Sequence, residues 1–375
     1  MTREDSLEWL HMDPNPGLFT QLCLNMGVKD VQVEPILSIK RNFLCDQRPV
    51  YGIIVFLHQT PTSTPTPASK DDSVTPNDHM YFANQVVNNA YAMHALLSIL
   101  LNCDIIKIGS TLTEFKDFTK DFPSTIKGLS LSNSHALRKS HNYVARSWPK
   151  QPKKKSAYQY ISYIPFEGYL WELDGLKSGP LRLGPCTETN WLDRLQFELL
   201  RKTDRFQKQN MPYSMWSIIE DRRTVLQRKL VAKSNKTNNI ETKLDEYYPE
   251  WRLMTDVQKW EEEYQYAMLN KHNVLGLDVA AHMTRHYQSR NDAMPSDPQC
   301  YDHDQFNFKE QMDTWLQTKD EILRIYNDLG KEEEKHQHYQ CDTVRRQHDY
   351  DPFITAYLEA LQSQGLLDQI ITGST

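Results

Sequence analysis

No run of about 18 apolar residues occurs in this 375-residue chain, and Met1-Thr2-Arg3-Glu4-Asp5 offers no apolar signal core. Membrane spanning and secretion are therefore not expected, and Asn235-Lys236-Thr237 matches the glycosylation sequon in form only. Paired cysteine spacing is missing as well. Cys23, Cys45, Cys103, Cys186, Cys300 and Cys341 are scattered, which suits reduced thiols in the cytoplasm, with the nucleus as a second compartment. Neither sign of charge dominates: 43 Lys and Arg against 49 Asp and Glu leave −6, so nothing draws the chain to nucleic acid or an anionic membrane. Metal-ligand spacing is lacking too. His282 and His286 are spaced to share a helix face, and His336, His338 and Cys341 fall in one short stretch, but neither group has a second ligand pair at recognisable spacing. Both groups read as surface histidines, and neither a metal nor another cofactor is expected.

What is present suffices for a packed core, since 39% of the residues are hydrophobic and 11% aromatic. Ile53 to Leu57, Tyr160 to Ile164 and Tyr169 to Leu173 read as buried strands among helical patterns, which predicts an α/β or α+β domain. Two stretches read as surface loops: the Thr-, Ser- and Pro-rich run from Gln59 to Pro76, and Ser147 to Ala157 with its lysine cluster. From Glu198 to Lys233 the pattern is long and charged, and the polar run Ser234 to Asn239 reads as a domain boundary. The expected organisation is a core domain over 1–230, a linker or insertion of unassigned role over 231–308, and a helical domain over 309–375. Within the insertion, Val257 to Asn270 looks helical and Asn291 to Pro298 loop-like.

The most informative stretch runs from Met80-Tyr81-Phe82-Ala83-Asn84-Gln85 through Tyr91-Ala92-Met93-His94 to Cys103. It resembles the nucleophile helix of the ubiquitin C-terminal hydrolases, a family of papain-like cysteine deubiquitinases. Other motifs agree with that family over roughly the first 225 residues. They are Asp13-Pro14-Asn15-Pro16-Gly17, Tyr51-Gly52-Ile53-Ile54-Val55, Lys127-Gly128-Leu129-Ser130, His141-Asn142-Tyr143, Tyr163-Ile164-Pro165, Trp171-Glu172-Leu173-Asp174-Gly175-Leu176 and Gly179-Pro180. The resemblance implies a papain-like core, an antiparallel-rich sheet flanked by helices, with a helical C-terminal extension. It is closest to the proteasome-associated branch of the family.

Carried over residue by residue, the family's catalytic set is only half present. Gln85 matches the oxyanion glutamine and Asp174 the carboxylate that orients the catalytic imidazole. Six places after Gln85, where the nucleophilic cysteine belongs, stands Tyr91. In the aromatic–histidine–aromatic phrase that supplies the base, the chain reads Tyr158-Gln159-Tyr160, so Gln159 replaces the histidine. A phenol with an ordinary pKa of about 10 is a poor substitute for a thiolate, and an amide neither takes nor gives a proton near neutral pH. Without nucleophile and base, hydrolysis is not expected, and a binding role for ubiquitin or for a proteasomal adaptor is. The alternative is an active deubiquitinase with a non-standard catalytic set. His94, one turn beyond Tyr91, and Cys103 are the candidates for such a rescue, but they read better as a half-buried histidine and a core cysteine. A third reading has Tyr91 filling the channel for the ubiquitin tail, leaving a fold that binds adaptors alone.

The C-terminal run Val344 to Ile354, followed by Leu358, Leu361, Leu366, Leu367 and Ile370, resembles the adaptor-binding helices of the same branch. The implied partner is a proteasomal ubiquitin receptor that docks on residues 344–371. That branch continues into a lysine-rich tail, which is not found up to Thr375. The competing reading is that this apolar stripe folds back on the helix from Phe308 to Glu334.

Overall fold

The structure is a computed structural model that describes residues 8–39, 49–59, 79–146, 157–208, 210–254, 257–258, 260–262, 264–265 and 307–367. Apart from Gln59 and Ala157, which belong to strands, both predicted loops lie outside the described residues, as do His282, His286 and most of the insertion. Contacts divide the chain into two units, Met1–Glu220 with His338–Thr375, and Asp221–Gln337.

In the first unit the elements run α1 (Pro16–Asn25), β1 (Val31–Pro35), β2 (Val50–Gln59), α2 (Tyr91–Leu100), α3 (Gly109–Thr119), α4 (Ser124–Asn133), α5 (His135–Ala145), β3 (Ala157–Phe166), β4 (Tyr169–Leu173), β5 (Leu181–Pro185), α6 (Trp191–Lys208) and β6 (Tyr213–Glu220). The strands form one six-stranded sheet in the order β1-β6-β2-β3-β4-β5, with every neighbouring pair antiparallel. Side chains alternate across a strand, and here both faces are covered. Ile54 and Phe56 of β2 and Tyr160 and Ile164 of β3 meet α1 and α2 on one face, while Ile53, Val55 and Leu57 with Ile161 and Tyr163 meet α6 on the other. The three predicted strands are therefore present as β2, β3 and β4. The charged stretch from Glu198 conceals a further strand, because β6 lies in the middle of the sheet between β1 and β2.

Helix α2 is apolar on every side, and all ten of its residues are buried. The segment before α1 is held against it and against α5 by side chains. Asn15 caps α1 by accepting from the amides of Gly17 (2.8 Å) and Leu18 (3.2 Å). Asn142 accepts from the Leu10 amide and donates to the Glu8 carbonyl, both at 2.9 Å, and Asn89 donates to the Trp9 carbonyl at 2.9 Å.

The second unit is built around α7 (Arg222–Tyr247) and the first part of α8 (Phe308–Gln347). The polar run Ser234 to Asn239, predicted to be a boundary, lies inside α7 and does not interrupt it. Thr237, Ile240, Glu241 and Leu244 share a buried face there, and tertiary packing of that face outweighs the weak helix propensity of the neighbouring Asn and Ser residues. His336, predicted at the surface, is only 2% exposed and sits 4.0 Å from Asp221, whereas His338 is exposed. Helix α9 (Asp351–Ser363), in the first unit, buries none of its residues.

Candidate active site

Each half of the site is placed by the sheet and by the start of α2. Tyr91 is the first residue of α2, after the short 3-10 turn Asn88–Ala90. Its side chain is 1% exposed and its hydroxyl donates to the carbonyl of Met12 in the segment before α1. The ring stands edge-on to Phe56 of β2 at 6.0 Å and tilted to His11 at 6.4 Å. A phenol that donates to a backbone carbonyl and lies among aromatic rings is a packing group. It has no surface to offer a substrate.

Gln159 and Asp174 come from facing parts of the sheet, β3 and the residue after β4. Gln159 Nε2 donates to Asp174 Oδ2 at 3.0 Å, and the Leu176 amide donates to Asp174 Oδ1 at 3.0 Å. Burial raises the Asp174 carboxyl above the ordinary range, only partly offset by the Leu176 N–H, by Lys177 and by the Gln159 amide. The amide at position 159 thus supplies the carboxylate with the N–H that an imidazole would supply, without an imidazole's proton chemistry.

Gln85 reaches the same turn from the other side. Its backbone amide donates to the Gly175 carbonyl at 2.8 Å, and Asn84 Nδ2 donates to the Lys177 carbonyl at 2.7 Å. Gly175 is needed at this crossing, since an added Cβ would run into the Tyr160 hydroxyl and approach Gln85. The Gln85 side chain is barely engaged: Nε2 lies 3.5 Å from the Asn88 carbonyl, and among the described residues nothing bonds its buried Oε1. An amide held this loosely is free to donate elsewhere.

Neither rescue candidate completes a catalytic set. His94, expected half-buried, is fully in the core; its ring stacks on Tyr160 at 6.2 Å, and burial pushes its pKa down to about 3, so it is neutral at any physiological pH. Cys103, expected in the core, is half-buried in the turn after α2, and burial raises its thiol. The structure therefore brings Gln85, Gln159 and Asp174 together and buries Tyr91 in the core against Met12, His11 and Phe56. Sequence reasoning missed Met12, the acceptor for the phenol, because a backbone carbonyl carries no residue signature.

Among the described residues no three His, Cys, Asp or Glu side chains converge as a metal site, and no helix is long and apolar enough to cross a membrane.

A family model described as "Ubiquitin carboxyl-terminal hydrolase, family 1" matches residues 9–203, and a second, described as "Ubiquitin carboxyl-terminal hydrolases", matches residues 323–367. The chain is 35% identical over 244 residues to ubiquitin carboxyl-terminal hydrolase isozyme L5 of Dictyostelium discoideum, across 64% of this chain and 69% of the relative. It is 33% identical over 283 residues to ubiquitin carboxyl-terminal hydrolase 2 of Schizosaccharomyces pombe, across 73% of this chain and 89% of that one. Among solved structures, Trichinella spiralis UCH37 bound to ubiquitin vinyl methyl ester matches with a TM-score of 0.50 at 26% identity, over 68% of this chain and 97% of that one.

Proposed function

Because this chain belongs to the ubiquitin carboxyl-terminal hydrolase family, we propose that it keeps the family's fold for binding and has lost the family's hydrolysis. The observation that carries the reading is the Tyr91 hydroxyl donating to the Met12 carbonyl from a buried position, together with a Gln159 amide bonded to Asp174. Covalent attack needs an exposed nucleophile activated by a base, and these two positions supply neither. The ligand we propose is ubiquitin, a reading supported by the Trichinella relative, which is bound to a ubiquitin derivative. The second proposed partner is a proteasomal ubiquitin receptor at residues 344–371. In support, α9 leaves Phe353, Ile354, Tyr357 and Leu358 exposed, and the second family model covers residues 323–367. The proposed setting is ubiquitin-dependent protein catabolism in the cytoplasm or nucleus, with 1–230 as the ubiquitin-binding part and 309–375 as the adaptor-binding part.

Hydrolysis and binding are separated by three measurements. The full chain is given a ubiquitin C-terminal fluorogenic substrate and, separately, ubiquitin vinyl methyl ester, with labelled ubiquitin titrated in parallel. The reading expects no turnover, no covalent adduct and saturable binding. Turnover above buffer that disappears in Tyr91→Phe, or an adduct on the wild-type chain, overturns it. If ubiquitin binds only to Tyr91→Ala, the phenol blocks the tail channel and the function is adaptor binding alone. Capture of proteasome subunits by the intact chain, and its loss in a chain ending before Val344, tests that part.

A further inference from the structure

The second unit contains a buried charge that the proposed function does not use. Lys319, on α8, is 7% exposed, and three aromatic rings face its Nζ: Tyr264 at 4.8 Å, Trp315 at 5.2 Å and Trp260 at 5.7 Å from their centroids. Glu241 of α7, itself buried, closes the remaining side. Its Oε1 lies 3.3 Å from Lys319 Nζ and accepts the Trp315 indole N–H at 2.9 Å. The rings brace one another as well. Trp260 stacks on Tyr264, four residues on in a helical stretch, at 5.0 Å, and meets Trp315 edge-on at 5.3 Å. The neighbouring cation, Arg252, is bonded to Asp245 at 3.0 and 3.1 Å, is laid on Trp251, and reaches only the other oxygen of Glu241, Oε2, at 3.7 Å. One carboxylate oxygen of Glu241 is thus left to serve Lys319.

Ring faces carry the negative end of the aromatic quadrupole, so several faces with a carboxylate form a ligand set for an organic ammonium ion. An ammonium removed from water without such partners is strongly unfavourable, and a buried lysine is tolerated only where they surround it. The cage walls come from three separate stretches of chain: α7, the residues around 260–264, and α8. Its occupant therefore ties these stretches together. We propose that Trp260, Tyr264, Trp315 and Glu241 form an alkylammonium-binding cage whose resident ligand is Lys319 of the same chain, and that the cage still takes a small primary alkylammonium when that side chain is shortened.

Lys319→Ala removes three methylenes and the ammonium, so n-propylammonium is the matching probe. Thermal unfolding of the full chain is followed by tryptophan fluorescence, in n-propylammonium chloride, in sodium chloride of equal ionic strength, and in n-propanol. The alanine variant is expected to melt about 5 °C lower than wild type or more. About a third of that loss should return at tens of millimolar amine, with wild type unmoved, because a cage of this kind binds a free amine with a Kd of about 1–10 mM. Recovery no greater in the amine than in propanol overturns the proposal. Lys319→Met keeps a stem of similar length without the charge and is expected to melt below wild type; a Met variant as stable as wild type overturns it equally. Should Lys319→Ala fail to fold in every solvent, the Met comparison decides alone.

Discussion

Tyr91→Phe deletes one hydroxyl from the core and keeps the ring, so it isolates what the phenol does at the nucleophile position. The Met12 carbonyl would lose its buried donor, and the expected cost is about 1–2 kcal/mol in urea unfolding, with ubiquitin turnover unchanged at the level of buffer. A variant as stable as wild type would mean the hydroxyl ties nothing down. The converse experiment rebuilds the missing pair. Tyr91→Cys alone should stay inactive, because no imidazole takes the thiol's proton or protonates the leaving amine. Tyr91→Cys with Gln159→His places an imidazole where an amide already bonds Asp174 at 3.0 Å, with Gln85 beside the Asp174–Gly175 turn. The double variant should form a covalent adduct with ubiquitin vinyl methyl ester and exceed the single one in turnover by about 100-fold or more. A folded double variant without adduct would show that the retained pair no longer holds a working geometry. That positions 85, 159 and 174 lie together was legible in the sequence, since the motifs carry all three. Where the phenol goes was not legible, because its partner is a main-chain atom 79 residues away.

At the scale of elements, the strands with both faces buried announced themselves as continuous apolar runs, whereas β6 was hidden by the charged helices on either side. The polar residues of α7 misled for the opposite reason: a helix can carry residues such as Asn235 and Asn239 on its solvent side when the other face is packed. One junction between elements yields a pH-dependent prediction. Glu172 of β4 is 1% exposed and ion-paired with Lys202 of α6 and, at 2.9 Å, with Lys177. Burial pushes its carboxyl up, but the two ammonium groups outweigh that and leave it below the ordinary range. A lowered carboxyl pKa stabilises the fold fully above the ordinary carboxylate value, and the contribution is lost as pH falls through the lowered one. Glu172→Gln should therefore cost about 2–4 kcal/mol between pH 5 and 7, the lower end following from the partial exposure of Lys177. The difference from wild type should shrink below pH of about 4.5. Denaturant melts across that range check the sign, and a gap that widens on acidification contradicts it.

For the whole molecule, contacts join stretches of chain that lie far apart in sequence. Residues from His338 onward belong to the same unit as residues up to Glu220, although an entire second unit lies between them in the chain. The contacts responsible are specific. Gly17 at the start of α1 has no room for a Cβ because the Tyr339 ring occupies the space, and Gln347 Nε2 donates to the Tyr143 carbonyl of α5 at 2.7 Å. Such a return of the chain is invisible in sequence, where Tyr339 and Gln347 read as ordinary members of a charged helix. Beyond them, α9 buries nothing. Two truncations should therefore differ sharply. A chain ending at Tyr350 loses no buried residue among the described ones and should melt within about 1–2 °C of wild type, since surface removals away from packed features change stability by about 0.5 kcal/mol or less. A chain ending at Gln337 uncovers α1 and leaves the Tyr143 carbonyl without its donor, and it should lose about 2–3 kcal/mol. Equal melting of the two shortened chains would show that the segment 338–350 contributes nothing to the first unit. A large loss on removing α9 alone would show that this helix is packed, and would also remove the ground for treating it as a docking surface.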